Sequence, residues 1–125
     1  MQFSYNKDEK LKSRKLIKEL FEKGKAISVF PLRLIYLKTE HQGKHPLKTG
    51  VSVSKRNFKL AVHRNRIKRM MREVYRLNKY KLYDNLDEKY IFMFIYLSKE
   101  EIPYQKLDEK MKEIMTVFLK KRNTK

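Results

Sequence analysis

Cysteine is absent from the 125 residues, and with it go disulfides, thiolate zinc sites and cysteine nucleophiles. Three glycines and three prolines are few, and none sits in a glycine-rich phosphate loop; no HExxH helix or serine nucleophile elbow occurs either. No hydrophobic stretch approaches bilayer length, and Met1 to Lys15 has no apolar signal core, so a cytoplasmic protein without a membrane role is expected. Acids are the scarcest chemistry. Fourteen Asp and Glu stand against 32 Lys and Arg, for a net charge of +18. That excess requires a polyanionic partner, either nucleic acid or an acidic membrane surface. Between Lys23 and Tyr83, 17 Lys or Arg face two Glu. One broad basic face is expected, making phosphate contacts that give affinity and register without reading sequence.

What is present argues for a packed domain. Apolar residues make up 41%, with eight Tyr and seven Phe, too many for a disordered basic tail. By length, residues 1–125 form one domain, with 1–7 and 122–125 expected as loose ends. Residues 8–23 read as a helix stopped by Gly24. Residues 27–38 read as extended and interrupted at Pro31. Val51 and Val53 alternate with Ser52 and Ser54, as in a strand with one buried face, and strand 49–54 is expected to pair with 32–37. A turn near Arg56-Asn57 leads to a long helix beginning between Asn57 and Val62 and reaching about Leu82. Tyr90 to Leu97 is an unbroken apolar run of eight, fit for a central strand covered on both faces. Pro103 opens a last helix that buries Leu107, Met111, Ile114, Met115 and Phe118. The order α-β-β-(β)-α-β-α predicts an α/β (α+β) two-layer sandwich with a small mixed central sheet.

The long helix carries the function. Ile67, Met70, Met71, Val74 and Leu77 form one apolar stripe, and Arg64, Lys68, Arg72 and Arg76 step by four beside it. Like charges at that spacing cost about 0.2–0.5 kcal/mol per pair, and Glu73 is the one carboxylate between Glu40 and Asp84. A merely solvated face would mix both signs; this one suits RNA phosphate, which accepts the guanidinium fork. Lys55, Arg56 and Lys59 extend the surface ahead of the helix, and Lys23, Lys25, Lys38, Lys44 and Lys48 add to it from elsewhere. Asn65 is a poor helix former, to be read as a polar organiser or RNA contact, or else as a tolerated surface residue or a helix-start cap.

The segment Gly50 to Arg76, GVSVSKRNFKLAVHRNRIKRMMREVYR, resembles the signature region of the protein subunit of bacterial ribonuclease P. The Gly-Val-Ser-Val-Ser-Lys strand and turn, the Ala61-Val62 pair and the Arg64-Asn65-Arg66 core followed by Ile67-Lys68-Arg69 and Arg72-Glu73 carry it. Leu11-Lys12-Ser13 and Leu20-Phe21-Glu22-Lys23-Gly24 are similar to the family's opening. The resemblance implies a left-handed crossover from strand 49–54 through the helix to strand 90–97, against the usual right hand. It implies the catalytic RNA as a partner, bound through Lys55, Arg56, Arg64, Asn65, Arg66, Lys68, Arg69, Arg72 and Arg76. It further implies a cleft between the first helix and the sheet for the 5′ leader of precursor tRNA, with Phe21, Tyr36, Ser52 and Ser54 as candidates. Unpaired bases stack on exposed rings for about 1–3 kcal/mol each. Core packing is the plain alternative for these aromatics, as for Phe30 and Phe58.

No catalytic group is expected in the chain. Two-metal hydrolysis needs clustered carboxylates, whereas the basic face offers Glu40 and Glu73, and Glu73 stands one turn after Arg69 as an ion-pair partner. His41, His45 and His63 suggest acid–base cleavage only in the abstract. The resemblance places the Mg²⁺ ions on the RNA, with the protein tightening substrate binding and lowering the Mg²⁺ demand. The main alternative is a non-catalytic ribosomal RNA-binding protein. A DNA-binding regulator lacks a paired helix-turn-helix, and a membrane-surface helix leaves the strands unexplained.

Overall fold

The computed structural model describes residues 7–41 and 44–123. After a 3-10 turn at Lys7–Glu9 the elements are α1 (Arg14–Lys23), β1 (Lys25–Val29), β2 (Leu32–Lys38), β3 (Leu47–Val53), α2 (Ala61–Asn78), the short α3 (Tyr80–Tyr83), β4 (Tyr90–Tyr96) and α4 (Tyr104–Asn123). This is the mixed α+β order expected.

β4 organises the sheet, whose order is β1-β2-β4-β3. Its apolar run needs neighbours on both edges and cover on both faces. β2 pairs with it antiparallel, Tyr36 opposite Phe92, and β3 pairs parallel, Thr49 beside Phe92. The expected pairing of 49–54 with 32–37 is therefore corrected: β4 lies between them, because adjacent β2 and β3 would leave the most apolar strand on an edge. β1 turns into β2 through a cis Phe30–Pro31 bond and takes the outer edge.

Alternation along β4 divides two cores. Tyr90, Phe92, Phe94 and Tyr96 face α2 and α4, joining Ile67, Met71, Leu107, Met111 and Phe118. Ile91 and Met93 face the other way and pack with Leu11 and Leu20. The sheet and the α2/α4 pair are the two main layers, and α1 adds partial cover behind. α4 buries all five residues expected of it.

Helix boundaries differ from the expectation in informative ways. The first helix begins at Arg14, because Ser13 caps it by accepting from the Leu16 amide (3.3 Å), while Lys10 and Leu11 are drawn into backbone pairing with Thr49. Gly24 ends it: a Cβ there would lie 2.4 Å from the Leu20 carbonyl oxygen and 2.9 Å from Ile35 Cγ2. The long helix stops at Asn78, whose side-chain amide donates to Val74 O and Asp108 Oδ1, both at 2.7 Å. Leu77, expected in its apolar stripe, is 41% exposed, and Tyr75 is buried in its place. Lys79 then sits 3% exposed with its ammonium 2.5 Å from Glu9, itself 1% exposed and accepting from Tyr83 (2.6 Å). Of the ends expected to be loose, Lys7 lies in the 3-10 turn and Arg122 in α4, while 1–6 and 124–125 fall outside the described residues.

Candidate nucleic-acid interface

Folding sorts the cations of α2 into two sets. Arg64 donates to the carbonyls of Phe58 (2.8 Å) and Lys59 (2.9 Å), bracing the loop that enters the helix. Arg66 forks onto Glu101 with bonds of 2.8 and 2.7 Å, and hydrogen bonding to Arg66 holds the Glu101 carboxyl below its usual range. Arg76 forks onto Glu73 (3.2 and 2.5 Å), so Glu73 pairs one turn forward and not with Arg69 as the spacing had suggested. A planar guanidinium held at two atoms is oriented at little further entropic cost.

The second set is uncommitted. Among the described residues, Asn65, Lys68, Arg69 and Arg72 carry no side-chain hydrogen bond or ion pair, and Asn65, Arg69 and Arg72 are exposed. Asn65 lies inside the helix, whose N-cap is Leu60, so the capping alternative is excluded. Lys55 and Arg56 are exposed in the turn after β3; the Arg56 amide donates to Ser54 Oγ (3.0 Å), which commits Ser54 to turning the chain. The cluster thus offers several hydrated cations beside a rigid helix, the arrangement that binds phosphate oxygens and releases counterions.

Arg72 links this surface to the back of the sheet. A groove of about 280 Å³ is lined by Arg72, Lys10, Lys12, Ile17, Gly50 and Met93, among others. Beyond it one row crosses all four strands in register: Ser28, Arg33, Ile95 and Ser52. Ser28 and Arg33 are exposed, Ile95 and Ser52 half-buried. Phe21, on the last turn of α1, is 53% exposed and outside both cores, so the packing alternative is excluded for it.

Tyr36 departs from the expected cleft. Its register with Phe92 puts it on the opposite face, edge-on to Phe118 at 4.9 Å. β2 instead presents Arg33, Ile35 and Leu37 toward α1, a parity that Leu32 and Leu34 already signal in the sequence. Phe58 is buried against Tyr96, while Phe30 is exposed in the hairpin turn. Arg33, Lys10 and Lys12 were missed; nothing in their spacing marks them, since the fold alone brings them to this side.

The groups capable of acid–base or metal chemistry are dispersed. His41 Nε2 lies 3.3 Å from the Pro46 carbonyl, and burial pushes its pKa down. His45 stacks on Tyr83 with ring centroids 5.7 Å apart. Glu40 is exposed between β2 and β3, and His63 is in the first turn of α2. Among the described residues no three His, Asp or Glu converge to hold a metal ion, and no helix is long and apolar enough to cross a membrane.

Comparison with known proteins places this architecture. A family model described as Ribonuclease P matches residues 5–119. The ribonuclease P protein component of Porphyromonas gingivalis (strain ATCC 33277) is 46% identical over 94 residues, covering 74% of this chain and 68% of that protein. The structure of the Staphylococcus aureus RNase P protein is similar with a TM-score of 0.71 at 18% identity, covering 88% of this chain and 94% of that one. The Thermotoga maritima RNase P protein gives 0.69 at 22% identity, covering 87% and 96%.

Proposed function

The chain belongs to the bacterial ribonuclease P protein family, and from that membership we propose how its two surfaces divide the work of tRNA processing. The helix surface of Asn65, Lys68, Arg69 and Arg72, with Lys55 and Arg56, binds the RNA subunit. Arg64, Arg66 and Arg76 hold the shape of that surface and keep outward donors for RNA. The back of the sheet, from Phe21 across Arg33 and Ser52 to the groove at Arg72, takes the 5′ leader of precursor tRNA. Phe21 supplies a stacking surface, and the flanking cations supply charge.

The single observation that carries the reading is the set of uncommitted cations on a rigid helix continuous with the open sheet face. The reading as a ribosomal RNA-binding protein gains no support from relatives that are ribonuclease P proteins. Among the described residues no three His, Asp or Glu converge, which supports a reading in which this chain does not carry the Mg²⁺ chemistry. The ions and the chemical step are assigned to the RNA subunit, and the protein's cations offset repulsion between two polyanions, lowering the Mg²⁺ demand. The compartment is cytoplasmic.

Cleavage of precursor tRNA by the protein alone, by the RNA subunit alone and by the reconstituted pair, across a Mg²⁺ series, tests this. The pair is expected to cut at low Mg²⁺ where neither component does. Single substitutions of Glu40, Glu73, His41, His45 and His63 should leave the single-turnover rate at saturation within a few-fold. A folded, RNA-bound variant losing 100-fold, about 2.7 kcal/mol of barrier, overturns the assignment.

A further inference from the structure

A second cationic groove lies at the opposite edge of the molecule from α2. Two adjoining hollows of about 440 and 370 Å³ share Lys25, Tyr36 and Lys121. Their other cations come from the last turn of α1 (Lys23), from β2 (Lys38) and from the end of α4 (Lys120 and Arg122). The site is over β1 and β2, the edge far from β3, and on the sheet face opposite Arg33 and Ser52.

The helix macrodipole accounts for basic residues in the last turn of α4. The same holds for Lys23 at the end of α1, but not for Lys25 and Lys38, which were expected to extend the α2 face and which β1 and β2 instead bring to this edge. Among the described residues Glu88 pairs with Lys38, Asp87, largely exposed, lies 3.6 Å from Arg122, and Lys120 is engaged as well. Lys23, Lys25 and Lys121 have no partner among the described residues. Convergent like charges in excess of the nearby acids raise the energy of the free protein and are relieved by an anion that bridges them.

The lining also selects the anion. None of the large exposed apolar residues, Phe21, Phe30, Leu60, Val62, Leu77, Leu97 or Tyr104, lines either hollow, so there is nothing to insert into a lipid surface. The floor is the half-buried Tyr36 ring, whose hydroxyl can donate to a phosphate oxygen or a ribose; burial raises its pKa and keeps it protonated. An extended pair of hollows with lysines along both walls suits a run of phosphates better than one compact ion.

We infer that the groove formed by Lys23, Lys25, Tyr36, Lys120 and Lys121 is a second RNA-backbone site, separate from α2 and from the leader face. It gives the protein two phosphate-binding edges, so that it bridges RNA segments on opposite sides of the sheet. The ligand is a phosphodiester strand, supplied either by the RNA subunit or by the body of precursor tRNA. The inference rests on RNA being the partner, as proposed above.

The test uses the full chain with Lys25→Ala/Lys121→Ala, its Lys→Arg counterpart, and a Lys68→Ala/Arg69→Ala/Arg72→Ala control. Salt dependence of affinity is measured for the RNA subunit, and then for precursor tRNA binding to the reconstituted complex. The double alanine variant should lower the log–log salt slope by about 1.4–1.8 for one of the two RNAs, which identifies the source, while the arginine variant keeps the slope. Both lysines are exposed, so melting should be unchanged, and the arginine variant provides a second check on folding. Full slopes for both RNAs in the double alanine variant, with the α2 control weakened, overturn the second site alone. Full slopes in both variants overturn the RNA reading of α2 as well.

Discussion

Replacing Lys68, Arg69 and Arg72 together by alanine separates an RNA-binding surface from a merely solvated helix face. These three cations have no partner among the described residues, whereas Arg64, Arg66 and Arg76 each hold part of the fold. If each contacts one phosphate, the log–log salt slope for the RNA subunit falls by about 0.7–0.9 per residue, or about 2.1–2.7 in all, which is about 100- to 500-fold at 0.1 M relative to 1 M salt. Stability moves the other way. The substitutions remove repulsion at the 64/68, 68/72 and 72/76 spacings, about 0.2–0.5 kcal/mol each. The melting temperature should stay constant or rise by a few degrees. Filter binding or fluorescence anisotropy at five or more salt concentrations, beside a thermal melt, gives both quantities. A folded variant whose slope is unchanged refutes the interface, and a melting temperature lowered by about 5 °C or more refutes the claim that these side chains do no structural work.

Phe21→Ala should weaken binding of precursor tRNA to the complex by about 1–3 kcal/mol while leaving mature tRNA unaffected; equal losses for the two would reject leader stacking, and with the ring 53% exposed the melt should barely change. Glu9→Ala removes the buried carboxylate that pairs with the Lys79 ammonium and should destabilise by about 3–5 kcal/mol in urea unfolding, with Glu9→Gln/Lys79→Met recovering much of it; a loss under about 1 kcal/mol shows that the pair is not buried as described. The Arg66–Glu101 fork depresses the folded-state pKa of Glu101, so its contribution is complete above the unfolded carboxylate value and disappears as pH falls through the depressed one. Arg66→Ala should return the Glu101 carboxyl, followed by NMR titration, to the ordinary range, and an unmoved titration contradicts the fork.

Local patterning by itself marked the order of the elements and the demand for a polyanion. Apolar spacing in Leu107 to Phe118 marked the buried side of α4, the unbroken run from Tyr90 marked the central strand, and the near absence of acids between Lys23 and Tyr83 demanded a polyanion. Periods of 3.6 and 2, and charge, are properties of a segment and are legible within it. Tertiary structure decided what depends on residues distant in sequence. The neighbour of β3 turned on which strand most needed burial on both edges. Whether an arginine of α2 is engaged within the fold or left uncommitted depended on Glu101, 35 residues beyond Arg66, and on carbonyls in the entering loop. Tyr36 was misplaced because one position of register reverses the face of a strand. The gathering of Lys25, Lys121 and Lys23 around one groove is written in no local pattern, because packing of α4 over β1 and β2 is what brings those charges together.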